Sequence, residues 1–147
     1  MPRVSERGWL LDTNVVSELR KGPRCHAAVR AWAKAVPREL CFLSSVTLAE
    51  IQHGIEAVTD PEFRLDLEAW LRDGVRAWFG QRILAADEAV LHGWIGLMRE
   101  GRARRHTYSQ PDALIAATAL AHGCAVVTRN TEDFIAAGVA VLNPWAA

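Results

Sequence analysis

Lysine is almost missing from this chain: Lys21 and Lys34 are the only two among its 17 cationic side chains. The remaining positive charge is arginine, which makes planar, bidentate contacts with phosphate and carboxylate. Net charge is also missing, since 17 acids balance 17 bases. That excludes a globally basic protein of the kind that coats DNA. Cysteine is sparse. Cys25, Cys41 and Cys124 form no CxxC pair, and two of them sit in apolar runs. They read as small buried hydrophobes in a reducing compartment, neither zinc ligands nor disulfide partners. No apolar stretch approaches the roughly 20 residues that span a membrane. The opening segment, residues 1–8, is polar and has no secretory h-region, so a cytoplasmic location is expected. Repeats and low-complexity tracts are missing too. What remains is a chain of 147 residues, half of them hydrophobic, the size of one domain with a polar tail at 1–8.

Short apolar runs alternate with helical periods along this chain. Trp9 to Leu11, Leu40 to Leu43, Ile83 to Ala85, Cys124 to Val127 and Val139 to Leu142 have no helical period and read as strands. Between them lie predicted helices at Val15–Leu19, about Arg24 to Val36, Val46–Val58, Pro61 to about Phe79, Asp87–Met98, from Ser109-Gln110-Pro111-Asp112 to His122, and Thr131–Ala137. Asp60-Pro61 and Asp87 supply helix starts, and Gly22-Pro23, Pro37 and Gly80 supply stops. Gly101 is expected to open an arginine-rich loop. Strands this short, uniformly apolar and alternating with helices imply βαβ units buried on both faces. The expected fold is a three-layer α/β/α domain around a parallel sheet of about five strands. Ligands of such sheets bind beyond the carboxyl ends of the strands.

Acidic residues gather at that end. Asp12 terminates Trp9-Leu10-Leu11, Glu50 follows the second run, and Asp112 opens an apolar helix. At the fourth such place, after Ala125-Val126-Val127-Thr128, stands Asn130. Singly, each acid has a capping explanation: Thr47-x-x-Glu50 and Ser109-x-x-Asp112 fit the capping-box pattern, Asp12 can cap the next helix, and Glu132 and Asp133 suit a helical first turn. Jointly they imply more. A carboxylate ending a buried strand needs a partner, and no lysine or histidine lies near Asp12 in sequence. Three converging carboxylates repel one another unless a cation joins them. Mg²⁺ or Mn²⁺ takes oxygen ligands, polarises a phosphoryl oxygen and acidifies a bound water.

The stretches Leu11-Asp12-Thr13-Asn14-Val15-Val16-Ser17-Glu18, Leu48-Ala49-Glu50-Ile51-x-x-Gly54, Asp112-Ala113-Leu114-Ile115-Ala116-Ala117-Thr118-Ala119 and Val127-Thr128-Arg129-Asn130-x-x-x-Phe134 occur in this order. They resemble the four signature stretches of PIN-domain proteins. The ending Val139-Ala140-Val141-Leu142-Asn143-Pro144-Trp145 resembles the FitB-like branch of VapC-type toxins. The likeness spans Trp9 to Trp145. It implies a Mg²⁺-dependent ribonuclease, with Mn²⁺ as an alternative ion, acting as the toxin of a toxin–antitoxin pair. Carried over by position, Asp12, Glu50, Asp112 and Asn130 form the site, with Asp12 and Asp112 as direct metal ligands and Glu50 completing the set. Asn14 and Thr128 resemble the polar residues that hold such a site together. Asn130 departs from relatives with aspartate there. It offers an oxygen without charge, which weakens any second metal position; Asp133, three residues on, is a candidate substitute already explained by the helix dipole.

The resemblance also implies partners: a cognate antitoxin, RNA as substrate, operator DNA only through the antitoxin, a homodimer, and a heterotetramer or larger assembly with antitoxin. Ile51, Ile55, Phe63, Trp70 and Trp78 exceed what one small sheet needs, and part of that surplus suits an apolar groove for an antitoxin segment. The segment Arg99–His106 has two readings: a solvated helix end suited to the dipole, or a rim in which Arg102, Arg104 and Arg105, with Arg129, contact phosphates. Two other functional classes compete. A haloacid-dehalogenase-like phosphatase wants a second aspartate where Asn14 stands, and a receiver domain wants a late lysine, yet none follows Lys34. A non-catalytic module that binds its antitoxin and modulates operator binding stays open because of Asn130.

Overall fold

The computed structural model describes residues 8–146. Apart from Gly8, the polar tail lies outside the described residues. Five strands form one parallel sheet: β1 (Trp9–Leu11), β2 (Cys41–Ser44), β3 (Ile83–Leu84), β4 (Ala125–Val127) and β5 (Val141–Leu142), in the order β3-β2-β1-β4-β5. The chain starts in the centre and builds outward in both directions. Leu11 therefore pairs with Val127, and Leu10 with Phe42 and Val126.

Apart from Ser44 at the end of β2, the strand residues are apolar because the sheet faces two cores. Leu10 and Val126 point into a cluster with Val90, Leu97, Ile115 and Phe134, under the helices α6 (Glu88–Arg104), α7 (Gln110–His122) and α8 (Glu132–Ala136). Their neighbours Leu11 and Val127 point the opposite way, with Val15, Leu43, Ile51 and Phe79, under α1 (Thr13–Leu19), α2 (Ala27–Ala35), α3 (Ser45–Glu56) and the run from α4 (Pro61–Ala69) to α5 (Ala77–Phe79). Successive strand side chains alternate faces, so a three-residue strand feeds both layers. The three cysteines are free and buried, and burial pushes the Cys41 thiol up to about 11.

Four expectations are corrected. The helix expected from Arg24 begins at Ala27, because His26 caps it by accepting the Ala28 N–H at 3.2 Å. The long helix from Pro61 contains a π-helical turn over Trp70–Arg76, with Gly74 packed so that a Cβ there would meet Trp70 Cδ1 at 3.3 Å. Helix α3 is capped by Ser44, which accepts the Val46 N–H at 3.0 Å; Thr47 is wholly buried within it and Glu50 lies in its second turn. The capping-box reading of Glu50 therefore fails, and its carboxylate is free for another role.

The fourth correction concerns Gly101. It opens no loop: α6 continues to Arg104, and Gly101 is buried against the next segment. A Cβ at this position would stand 2.7 Å from the His106 carbonyl and 2.9 Å from the Tyr108 ring. The helix then ends in a Schellman turn, with Arg105 in the left-handed region at φ 57° and the His106 N–H donating to the Gly101 carbonyl at 2.8 Å. Close approach at Gly101 thus turns the chain so that His106 faces α8.

Candidate active site

The site is built around Asp12. Its N–H continues the β1–β4 ladder by donating to the Val127 carbonyl at 2.9 Å. The next residue begins α1, and Asp12 caps it, accepting the Thr13 N–H at Oδ1 at 2.8 Å. Its Oδ2 accepts from Thr128 Oγ1 at 2.8 Å and Asn14 Nδ2 at 3.4 Å. A carboxylate only 4% exposed thus has no cationic partner among the described residues, only neutral donors. Burial raises its pKa, and the Thr128 and Thr13 bonds partly oppose this.

Thr128 and Asn14 form a small lattice behind Asp12. Asn14 Nδ2 donates to Thr128 Oγ1 at 3.1 Å, the Asn130 N–H donates to the same oxygen at 3.1 Å, and Asn14 Oδ1 accepts the Arg129 N–H at 3.2 Å. These bonds fix the loop after β4 against the start of α1. Glu50 approaches from α3, half-buried, and accepts from Thr13 Oγ1 at 2.8 Å. Burial raises its pKa, the Thr13 bond lowers it, and the Asp12 charge raises it again. Thr13 is the link that sequence reasoning missed: only the fold shows that its hydroxyl spans to residue 50.

Asp112 comes from the first turn of α7, where its N–H donates to Ser109 Oγ at 3.3 Å. It lines an open cleft of ≈470 Å³ with Asn130, Thr131, Glu132 and Asp133. Its carboxyl is pushed up to about 7 by burial, by contact with Asp133, and by the charges of Asp12 and Asp133. Asp12 thus shares its field with Glu50 on one side and Asp112 on the other. Among the described residues, no three acidic, histidine or cysteine side chains are gathered closely enough to hold an ion as they stand. Each carboxylate is turned to a protein partner instead: Asp12 to Thr128, Glu50 to Thr13, Asp112 to Asp133. All donors at the cleft are oxygens, and the like charges are mutually unfavourable. Both properties fit a hard divalent cation, which would draw the acids inward.

The arginine segment divides. Arg102 and Arg104 lie in the last turn of α6, and Arg104 is spent on structure, donating to the Ala136 carbonyl at 3.0 Å and to Tyr108 Oη at 3.3 Å. Arg102 and Arg105 are exposed. Arg129 stacks over the Trp145 ring at 5.3 Å, next to Asn14. The helix-end reading accounts for Arg104; Arg129 alone of the four is bonded through its backbone to the site lattice. Sequence reasoning did not single out His106, whose Nε2 lies 2.8 Å from Asp133 Oδ1.

The Asp112 shift has a measurable consequence. A carboxyl with a folded pKa above its unfolded value binds extra protons in the native state between the two values. Stability of the metal-free protein therefore falls as pH rises from about 4 to about 7. Asp112→Asn removes that loss. A shift of about three units is worth roughly 4 kcal/mol in full, and screening at this half-exposed site reduces it to about 1–2 kcal/mol. In EDTA, urea denaturation should find the variant more stable than the parent at pH 8, and the advantage should shrink towards pH 5. Equal stability at both pH values would contradict the shift.

A parallel five-stranded sheet, an acid ending its central strand and further acids from two helices at the same edge define a class. The PIN-domain family model matches residues 9–139, and the chain belongs to the PIN-domain family. Among known relatives, it is 37% identical over 136 residues to VapC ribonuclease Y4jK of Sinorhizobium fredii, covering 92% of this chain and 96% of that protein. It is 35% identical to Toxin FitB of Neisseria gonorrhoeae, covering 92% and 97%. The crystal structure of FitAcB from Neisseria gonorrhoeae superposes with a TM-score of 0.88 at 34% identity, over 95% of this chain and 99% of that one.

Proposed function

We propose that this chain, acting as one domain, is the ribonuclease toxin of a toxin–antitoxin pair, hydrolysing RNA phosphodiesters with Mg²⁺. The observation that carries the reading is Asp12, a buried carboxylate without a cationic partner among the described residues, sharing its field with Glu50 and Asp112. Similarity over nearly the full length to a VapC ribonuclease and to a FitB toxin supports it. Asp12 and Asp112 would hold the ion and Glu50 would complete its surroundings, with Mn²⁺ able to replace Mg²⁺. When bound, the ion would polarise a phosphoryl oxygen and acidify the attacking water. Thr128 and Asn14 fix the Asp12 carboxylate, and Thr13 fixes Glu50. Arg129, stacked on Trp145 beside this lattice, would hold a flanking phosphate, with the exposed Arg102 and Arg105 further along the strand.

A second feature supports a protein partner. An apolar groove of ≈300 Å³ runs between α1, α2 and the π-helical turn, lined by Leu19, Trp32, Val36, Trp70, Val75 and Trp78 among others. Arg20 stands at its rim over Phe63 and Trp70, at 5.7 and 5.9 Å. Leu11 contributes to its wall and is adjacent in chain to Asp12. An antitoxin segment seated there could carry a basic side chain to the carboxylates, which inhibits electrostatically. A solved structure similar to this chain is that of FitAB bound to an IR36 DNA fragment. By analogy, operator DNA is contacted through the antitoxin, in a heterotetramer or larger assembly built on a toxin homodimer. No helix among the described residues is long and apolar enough to cross a membrane, and we place the protein in the cytoplasm.

Mapping RNA ends in cells tests this reading. Expression of the partner-free chain should generate new ends at discrete sites, without 2′,3′-cyclic phosphate, because the nucleophile is water and not the 2′-hydroxyl. Co-expression of the antitoxin should suppress them. An absence of new ends would favour the non-catalytic module.

A further inference from the structure

Arg129 stands beside acids without joining them. It follows Thr128, whose hydroxyl donates to Asp12 Oδ2, and precedes Asn130, which lines the cleft with Asp112. Among the described residues it forms no ion pair, and its guanidinium donates no hydrogen bond; its backbone N–H is the bonded group, donating to Asn14 Oδ1 at 3.2 Å. What holds the side chain is an aromatic ring. The guanidinium carbon lies 5.3 Å from the Trp145 ring centroid. The end of the sheet delivers that ring. Leu142 of β5 pairs with Val127, and its carbonyl accepts the Thr128 N–H at 3.0 Å. Asn143 then turns the chain: its Oδ1 accepts the Trp145 N–H at 3.0 Å, and its carbonyl accepts the Ala146 N–H at 3.1 Å. The half-buried indole packs against the cluster that contains Leu11 and Val127. Arg129 is thus tied twice, by its backbone to the Asp12 lattice and by its side chain to Trp145, while remaining exposed.

That placement resolves a conflict. A guanidinium that falls onto clustered carboxylates relieves their repulsion and so competes with a divalent ion. A guanidinium held clear of them leaves the acids to the ion and keeps its donors for a phosphate. A cation–π contact at an exposed site shifts such a balance by roughly two- to fivefold. We propose that Trp145 is a positioning residue: it holds the Arg129 guanidinium off Asp12 and Asp112 and presents it to an RNA phosphate beside the scissile bond. Trp145 itself touches neither the ion nor the reacting bond. This rests on the metal-dependent reading above.

The test is Mn²⁺ binding to the partner-free protein, followed by calorimetry and electron paramagnetic resonance, beside KM and kcat for RNA cleavage at saturating Mg²⁺. Thermal melts in EDTA are the fold control. Trp145→Leu keeps an apolar side chain against the core but removes the ring, and Trp145→Met is a second ringless variant should the first melt early. Either should weaken Mn²⁺ binding about threefold, by admitting Arg129 to the carboxylates, and raise KM more than it lowers kcat. Arg129→Gln alone should raise KM about tenfold without weakening Mn²⁺ binding. Added to Trp145→Leu, it should return Mn²⁺ affinity to the parent level or above. Trp145→Phe, which keeps a ring, should bind Mn²⁺ as the parent does. Parental Mn²⁺ affinity in the folded ringless variants, with binding abolished in Asp12→Asn, would overturn this proposal alone. A loss that Arg129→Gln does not reverse would assign the effect to packing and overturn it too. Full Mn²⁺ affinity in Asp12→Asn would overturn both the proposal and the metal reading.

Discussion

Asp12→Asn should reduce RNA cleavage by about a thousandfold or more while the protein stays folded. The expected loss is large because Asp12 sits where no other group can replace it. It is buried at the end of the central strand, and among the described residues neither lysine, arginine nor histidine pairs with it. Its charge is therefore available to an ion, and its loss removes the ligand around which Glu50 and Asp112 are arranged. A thousandfold corresponds to about 4 kcal/mol of transition-state stabilisation, within the several kcal/mol that a metal supplies by polarising a phosphoryl oxygen. The fold should survive because asparagine has nearly the same volume and keeps an oxygen for the Thr13 N–H, losing only the bond that the Thr128 hydroxyl donates. Removing an unpaired buried charge even favours the folded state. Single-turnover cleavage and a thermal melt read the two halves of this expectation. Activity within tenfold of the parent would remove Asp12 from the chemistry.

The second large effect is on the antitoxin. Ala33 is half-buried on α2 and lines the apolar groove. Ala33→Glu should weaken antitoxin binding at least about a hundredfold, or about 3 kcal/mol. An apolar segment that covers this wall would bury a carboxylate without a partner, and that cost is several kcal/mol unless the charge is compensated. The substitution keeps a helix-forming residue on a solvent-facing stretch, so stability should change little. RNA cleavage by the free protein should be unaffected, because the groove lies on the helical side of Leu11 and not in the carboxylate cleft. In cells, the variant should stay toxic when antitoxin is co-expressed. Binding within threefold of the parent would place the partner elsewhere.

Much of this architecture was legible in the sequence, for identifiable reasons. Leu10-Leu11 and Val126-Val127 had to be apolar at consecutive positions because the sheet is covered on both faces, and that leaves a run no helix period explains. Asp12 and Asp112 were legible because strand ends and helix starts carry their own punctuation. Contacts distant in sequence stayed hidden. Thr13 reaches Glu50 across 37 positions, and His106 reaches Asp133 across 27. Neither leaves a local pattern. Gly101 misled because a glycine after a helical stretch normally ends it; here close packing under Tyr108 outweighs the propensity cost, and Arg105 takes the left-handed position instead. The Glu50 capping-box reading misled because Ser44, three residues earlier than Thr47, starts the helix first.

The most direct measurement is single-turnover RNA cleavage by the partner-free protein, first stripped with EDTA and then resupplied with Mg²⁺, beside Asp12→Asn treated identically. Cleavage should vanish on chelation, return with Mg²⁺ in the parent chain, and stay absent in the variant. Undiminished cleavage in EDTA, or cleavage restored by Mg²⁺ in Asp12→Asn, would contradict a metal-dependent site built on Asp12.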